Sequence, residues 1–223
     1  MVKKKLVRFA ENFTFGHLFQ QSYADLLQGF PLKGRWKTDY FRNDHPIVLE
    51  LGCGKGEYTV NLANDDPSRN FIGIDIKGAR MWRGCRMVKD LGLKNVAFIR
   101  TKIELIGYFF DAGEVDEIWI TFPDPHPTHR RLRRRLTSPI FIRRYLKILR
   151  PGGRIHLKTD NEQLFDFTLD MIKEMGHQLI MAERDLYGSG YEGEATQIRT
   201  FYEEMFCKEG MTIKYLQFIP RHE

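Results

Sequence analysis

The sequence predicts an α/β protein with a doubly wound, mostly parallel seven-stranded sheet and a short N-terminal arm. Two observations support this fold. From Pro46 onward, short apolar runs alternate with longer mixed segments, which is the pattern of βαβ units around a buried sheet. A glycine-rich turn also joins the first apolar run to the following helical segment. Because ligands of such sheets bind at the carboxyl ends of the strands, we place the candidate site there.

Each predicted element rests on its own local pattern. Strands are predicted at Ile47–Leu51, Phe71–Ile76, Val96–Ile99, Glu117–Phe122, Arg154–Lys158, Gln178–Ala182 and Thr212–Phe218. Helical segments are predicted at Glu57–Asn64, Gly78–Leu91, Ile103–Phe110, Ser138–Leu149 and Asn161–Met175. Residues 46–223 are therefore expected to form one domain. Residues 1–45, rich in aromatic side chains, are expected to be an irregular arm with a short helix that packs on this domain.

Composition limits the classes of function. Lys and Arg number 35 against 29 Asp and Glu, a net charge of +6 that fits a protein binding a polyanion. The three cysteines are widely spaced, and neither they nor the histidines show the spacing of metal ligands, so we expect a reduced protein without a metal. No apolar run reaches the length of a signal peptide or a membrane span. We therefore expect a soluble, cytoplasmic protein that does not bind a membrane.

The first informative motif is Glu-Leu-Gly-Cys-Gly at residues 50–54, between a predicted strand and a predicted helix. Gly52 and Gly54 permit a tight turn and close approach of the backbone to a ligand. Glu57 replaces the third glycine of the dinucleotide fingerprint, and the loop lacks the Gly-Lys-Ser/Thr of a phosphate loop, which disfavours NAD and nucleoside triphosphates. Glu50 suits a ligand with a positive amino group, and Asp75, at the next strand end, can accept hydrogen bonds from ribose hydroxyls.

The second informative motif follows the fourth predicted strand. Phe-Pro-Asp-Pro-His-Pro at residues 122–127 predicts a rigid loop that holds the Asp124 carboxylate over the candidate site. Arginines that can grip phosphates bidentately come next and are expected to contact a nucleic acid; they are Arg130, Arg131, Arg133, Arg134 and Arg135. Such a run is often only a solvated face, but here it adjoins the predicted site inside a folded domain.

These motifs resemble those of a known family. The glycine loop, Asp75 and the Leu-Arg-Pro-Gly-Gly segment at 149–153 are similar to class I S-adenosylmethionine methyltransferases, a Rossmann-like superfamily. Residues 122–127 resemble the Phe-Pro-Asp-Pro-Trp-Pro motif of bacterial tRNA (guanine-N7-)-methyltransferases. His-Leu-Lys-Thr-Asp at 156–160 and Thr-Phe-Tyr-Glu at 200–203 resemble two further motifs of that family. The similarity extends from about residue 46 to the C-terminus.

The resemblance implies methyl transfer from S-adenosylmethionine to N7 of a guanine in the tRNA variable loop, with S-adenosylhomocysteine as the second product. It implies Asp124 as the catalytic residue. It implies cofactor binding by Glu50, Gly52, Gly54, Asp75, Lys102, Ile103 and Asp124. It implies contact with the guanine by Asp160, Thr200 and Glu203, and Thr128 is expected to bind the substrate as well.

The chain departs from the family pattern at a few positions. His126 stands where the family usually has Trp, and Thr128 and His129 replace two lysines. Lys102 replaces an acid near the adenine, and a lysine side chain cannot accept the adenine amino hydrogens. Backbone groups of residues 101–103 or the carboxylate of Glu104 would then have to serve.

Two alternatives stay open on the sequence. One is a methyltransferase for another position of a nucleic acid, because Asp-Pro-His-Pro at 124–127 is superficially similar to the motif of exocyclic-amine methylases. The other is a non-catalytic tRNA-binding protein on the same fold, motivated by Lys102 and His126. Monomer and homodimer are both compatible with the sequence.

Overall fold

The computed structural model of the chain describes residues 2–222, without the side chains at positions 2–4, 129, 201 and 202. The strands are β1 Leu18–Phe19, β2 Ile47–Leu51, β3 Asn70–Asp75, β4 Val96–Arg100, β5 Val115–Thr121, β6 Leu149–Thr159, β7 Gln178–Glu183 and β8 Lys214–Ile219. The α-helices are α1 Val2–Asn12, α2 Tyr23–Leu27, α3 Glu57–Asp65, α4 Gly78–Leu91, α5 Pro139–Leu146, α6 Glu162–Glu174, α7 Glu194–Gln197 and α8 Phe201–Lys208. Trp36–Phe41 forms a π-helical turn, and Ile103–Tyr108 and His129–Arg134 form 3-10 turns.

The strands form a single sheet in the order β1-β4-β3-β2-β5-β6-β8-β7. Pairs from β1 to β6 are parallel, and β8 runs antiparallel between β6 and β7. The doubly wound α/β prediction is confirmed, with all seven predicted strands present. The eighth, β1, is a two-residue strand of the arm that was not predicted, because two residues are too short for a periodic pattern.

The central strands are mostly apolar and largely buried because helices cover both faces of the sheet. All five residues of β2 are buried, as expected for a parallel strand between two helical layers. Two apolar clusters form the core. One includes Leu49, Ile118 and Ile155, and the other includes Val48 and Trp119. Successive side chains along β2 and β5 therefore pack in opposite layers of the core. This packing on both faces fixes the positions of the strand ends.

Aromatic side chains attach residues 1–45 to the sheet. Trp36 is fully buried, and its indole nitrogen donates to the Phe109 carbonyl over 2.9 Å. Phe30 and Phe41 are also buried beside it. These three side chains belong to the core, whereas Phe13 is 78% exposed. The arm therefore contributes to the same core as the sheet.

Candidate active site

A cleft of about 860 Å³ lies at the carboxyl ends of β2 to β6, where the fold prediction placed the site. Each of these strands contributes at least one residue at or just after its end. The cleft is lined, among others, by Glu50, Gly52, Gly54, Asp75, Thr101, Lys102, Ile103, Glu104, Thr121, Asp124, Asp160 and Thr200. The cleft thus brings together two groups of predicted residues, the cofactor set and part of the substrate set.

The glycine loop turns through three residues with positive φ. Gly52, Gly54 and Gly56 have φ of 79°, 56° and 73°. Residues with a Cβ atom adopt such backbone angles only with strain. The amide of Gly54 donates to Oδ2 of Asp75 over 2.9 Å, and the amide of Lys77 donates to Oδ1 over 2.7 Å. Asp75 therefore holds the loop in place. Its oxygens keep lone pairs for a further donor in the cleft, because each carboxylate oxygen can accept two hydrogen bonds.

A close contact behind the loop was not predicted from the sequence. A Cβ added to Gly84 of α4 would lie 2.8 Å from the Lys55 carbonyl oxygen and 2.8 Å from the Phe98 ring. A Cβ on Gly56 would meet the same ring at 2.7 Å. Helix α4 and the loop therefore approach as closely as backbones can. Gly84 is a structural requirement of the loop, and a glycine inside a predicted helix is the sequence signal for it.

Glu50 lies at the floor of the cleft, with 4% of its surface exposed. Its carboxylate accepts hydrogen bonds from the Thr121 hydroxyl at 2.6 Å, from the Thr59 amide at 2.9 Å and from the Thr59 hydroxyl. Burial raises the pKa of Glu50 to about 7, although these hydrogen bonds act in the opposite direction. The site therefore contains a buried carboxylate whose ionisation would be favoured by a cationic group in the cleft.

Residues 101–104 form a further wall of the cleft, where β4 ends. The amide of Thr101 donates to the Asp75 carbonyl over 3.1 Å, which ties this wall to the end of β3. Lys102 precedes the 3-10 turn that starts at Ile103, and its side chain is exposed. Lys102, Ile103 and Glu104 all line the cleft. This wall therefore contains both groups that could contact the adenine in place of the missing acid. They are the backbone of residues 101–103 and the Glu104 side chain.

The loop after β5 presents Asp124 at the rim of the cleft. The Asp124 side chain is 71% exposed, and its Oδ1 accepts the His126 amide over 3.1 Å. Phe122 and His126 flank it with φ of 46° and 42°, which is unusual for residues other than glycine. The Phe122 amide donates to the Lys158 carbonyl over 2.9 Å. Strained backbone on both sides of an exposed carboxylate is typical of a functional loop.

Four of the predicted RNA-contacting arginines are exposed on the 3-10 turn after this loop; they are Arg130, Arg131, Arg133 and Arg134. Arg134 also lines the cleft. Thr128 precedes the turn and is exposed, but it lies outside the described lining of the cleft. Arg135 differs from the prediction, because it is only 4% exposed and its Nε donates to the Pro125 carbonyl over 2.8 Å. The turn ends at Arg134, and the next side chain points inward.

The residues predicted to bind the substrate also differ in their position relative to the cleft. Asp160 and Thr200 are half-buried and line the cleft, as predicted. Glu203 is fully buried, lies outside the described lining, and pairs with the fully buried Lys158 at 2.7 Å. The contact between Glu203 and the guanine stays a prediction; in the structure, the carboxylate faces this internal cation instead of the cleft. Its carboxylate also accepts the Tyr187 hydroxyl at 2.5 Å, so its hydrogen-bonding capacity is directed inward.

Two sequence signals could have identified this structural role. Thr-x-x-Glu is the sequence of a capping box, and Thr200 and Glu203 form one at the start of α8: the Glu203 amide donates to the Thr200 hydroxyl over 3.1 Å. Lys158, in turn, stands in a run of buried strand residues, where a charge requires a partner. Glu203 thus holds the start of α8 and positions Thr200.

Within the residues that the structure describes, no group of three or more His, Cys, Asp or Glu side chains is arranged to hold a metal ion. No helix in that part of the chain is long and apolar enough to cross a bilayer.

Comparisons with known proteins agree with this geometry. Residues 44–216 match a family model described as "Putative methyltransferase". Among solved structures, the 16S rRNA methyltransferase KamB superposes with a TM-score of 0.61 at 17% identity, covering 90% of this chain and 94% of that one. TrmN from Thermus thermophilus gives a TM-score of 0.54 at 21% identity, covering 80% and 45%. At these identities, the structures support the class I methyltransferase fold alone.

Curated relatives are much more similar. A tRNA (guanine-N(7)-)-methyltransferase of Christiangramia forsetii is 51% identical over 97% of this chain and 97% of its own length. The Porphyromonas gingivalis protein of the same name is 54% identical over 92% and 85%. The one from Clostridium acetobutylicum is 38% identical over 82% and 85%. With the cleft described above, this similarity establishes that the chain belongs to the tRNA (guanine-N(7)-)-methyltransferase family.

Proposed function

We propose that this protein transfers a methyl group from S-adenosylmethionine to N7 of a guanine in the variable loop of tRNA. One observation supports this most directly: a single cleft, in a chain of this family, is lined by Glu50, Asp75, Asp124 and Asp160. The first two carboxylates lie on the β2–β3 side, and the other two follow β5 and β6. The cleft thus offers separate places for a cofactor and a base.

The β2–β3 side fits the cofactor by its chemistry. Buried Glu50 matches a cationic amino group, Asp75 has acceptor capacity for ribose hydroxyls, and the glycine turn at 52–54 lets the backbone approach closely. The polar wall at 101–104 would face the adenine. The bound cofactor supplies an electrophilic methyl group on a sulfonium centre.

The other side would orient the guanine. N7 of guanine carries a lone pair and no proton, so no side chain has to remove a proton from the attacking atom. Catalysis is then mainly positioning, with reacting atoms held about 3–3.5 Å apart. Asp124 and Asp160 would accept hydrogen bonds from the base, and their negative charge would favour the methylated ring, which is cationic. Thr200, held by the capping box, adds a hydroxyl at the same edge.

The exposed arginines after Asp124 would hold the tRNA backbone beside the cleft. Arg130, Arg131 and Arg133 are exposed to solvent on the 3-10 turn, and Arg134 lines the cleft. A base inside folded tRNA has to be extruded before its N7 can reach a cleft of this kind. Contacts with the flanking phosphates would offset that cost.

The test is a methyl-transfer assay with purified protein, labelled S-adenosylmethionine and unmodified tRNA transcripts, followed by mapping of the labelled nucleotide. We expect label on N7 of the variable-loop guanine and its loss in Asp124→Ala, with tRNA affinity much less affected than turnover. Label on another atom would contradict the assigned substrate position. Cofactor binding without label on any transcript would contradict catalysis.

A further inference from the structure

Arg135 is the one arginine of its run that the fold turns inward, and its contacts join two parts of the cleft. Its Nε donates to the Pro125 carbonyl over 2.8 Å, next to Asp124. Its Nη1 lies 3.5 Å from the Gln163 carbonyl in the first turn of α6. Asp160 lies three residues before Gln163 in the chain. One guanidinium therefore bridges the segments that carry the two carboxylates on the guanine side.

The segment that Arg135 holds requires support. Phe122 and His126 have positive φ on either side of Asp124, and such backbone persists only where surrounding structure fixes it. Asp124 is itself mostly exposed, so packing of its own side chain cannot fix the loop. A charge-assisted hydrogen bond to the Pro125 carbonyl is stronger and shorter than a neutral one and acts within one residue of Asp124.

The environment of Arg135 argues against a role in stability alone. Its guanidinium lies over the Phe167 ring at 4.5 Å, and no ion pair to a carboxylate is found for it among the described side chains. A buried charge without an opposite charge costs stability, and an apolar residue of similar volume is often tolerated as well or better in such a place. What an apolar residue cannot reproduce is the pair of directed contacts to the two carbonyls.

We propose that Arg135 is a positioning residue that fixes the distance between Asp124 and Asp160 across the guanine side of the cleft. This inference rests on the proposed function. Substitution should then displace the loop without removing any group that touches the cofactor or the tRNA backbone. A displacement of about 1 Å in a reacting constellation can lower a rate by about 100-fold, so kcat should change while affinities do not.

The experiment compares Arg135→Met with Arg133→Met, an exposed arginine of the same turn. We expect Arg135→Met to lower kcat by roughly 10- to 100-fold with KM for tRNA and for S-adenosylmethionine within about twofold of wild type. Arg133→Met should instead raise KM for tRNA and leave kcat nearly unchanged. Arg135→Lys, which keeps the charge but donates to one carbonyl at a time, should recover part of kcat.

A second readout needs no substrate. Residues 123, 125 and 127 are prolines, so the loop has few amides, and exchange of the Asp124 and His126 amides with deuterium reports on its order. We expect faster exchange there in Arg135→Met and wild-type exchange in Arg133→Met. If Arg135→Met does not fold, the kcat and the amide exchange of Arg135→Lys test the inference instead.

Wild-type kcat together with wild-type exchange in the Arg135 variants would overturn the inference. A raised KM for tRNA at unchanged kcat would also overturn it, because that pattern identifies Arg135 as an RNA contact. Absence of N7 methylation by the wild-type protein would contradict the proposed function instead. The exchange comparison would still decide whether Arg135 holds the loop.

Discussion

Glu50 couples the stability of the protein to pH in a direction opposite to that of a salt-bridged carboxylate. Burial raises the pKa of Glu50 to about 7 in the folded chain, from an ordinary value of 4.5. The contribution of this group to stability is therefore fully present below pH 4.5, where both states are protonated. It is lost as pH rises through 7, because only the unfolded chain releases the proton easily.

The magnitude follows from the difference between the two pKa values. Each unit corresponds to about 1.4 kcal/mol, so ionisation of Glu50 costs the folded state on the order of 3 kcal/mol above pH 7. Glu50→Gln removes this cost. It also loses an acceptor facing the Thr59 amide and hydroxyl, but that penalty does not depend on pH. We therefore expect the stability of Glu50→Gln relative to wild type to rise by about 3 kcal/mol between pH 4.5 and pH 8.

The assay is urea unfolding of both proteins without cofactor at several pH values, with the difference in unfolding free energy plotted against pH. Taking the difference cancels all other titrating groups. A flat difference for Glu50→Gln would refute the reasoning, because the carboxylate would then ionise as easily in the folded chain as in the unfolded one.

Because Glu50 must be ionised to pair with the cationic amino group, S-adenosylmethionine should bind more weakly as pH falls below 7, with a loss of affinity that approaches tenfold per pH unit. Glu50→Gln should remove this pH dependence. Calorimetric titration at pH 6 and pH 8 measures the affinity of both proteins. Lys158→Met should destabilise the protein by about 3–5 kcal/mol in urea unfolding, because it leaves the buried Glu203 carboxylate without its cation. A cost below about 1 kcal/mol would contradict the structural role of this pair. Gly84→Ala should cost about 1–3 kcal/mol, since its Cβ would press on a backbone carbonyl, and unchanged stability would show that α4 can move away. Binding of tRNA should weaken steeply as the salt concentration rises. Arg131→Ala should reduce the steepness of the plot of log binding constant against log salt concentration by up to about 1. An unchanged slope would exclude Arg131 as a phosphate contact.

Local patterns explain why much of the fold and the cofactor side could be predicted. A glycine loop between a strand and a helix is encoded in consecutive residues, and the fold then fixes the place of Asp75 at the next strand end. The predicted bounds of α4, Gly78–Leu91, agree with the structure because Gly92 stops the helix with a positive φ. The carboxyl edge of the sheet followed from the alternation of strands and helices.

Positions that depend on tertiary packing could not be predicted in this way. Five arginines in a short run look alike in the sequence, and only the end of the 3-10 turn decides that Arg135 points inward. Glu203 was assigned to the guanine by resemblance, while its burial depends on Lys158, 45 positions away in the chain. Gly84 mattered because of Phe98, on a different element. In each case the decisive neighbour is distant in sequence.

The short strand β1 has a consequence for how the chain can be divided. β1 pairs with β4, and the Phe98 amide donates to the His17 carbonyl over 2.7 Å. Without the arm, β4 would become an open sheet edge with unpaired amides and carbonyls and with Phe109 and Phe110 uncovered, which is the typical template for aggregation. A truncated chain starting at Pro46, where the regular alternation begins, would therefore retain the residues of the cleft and still be prone to associate through that edge.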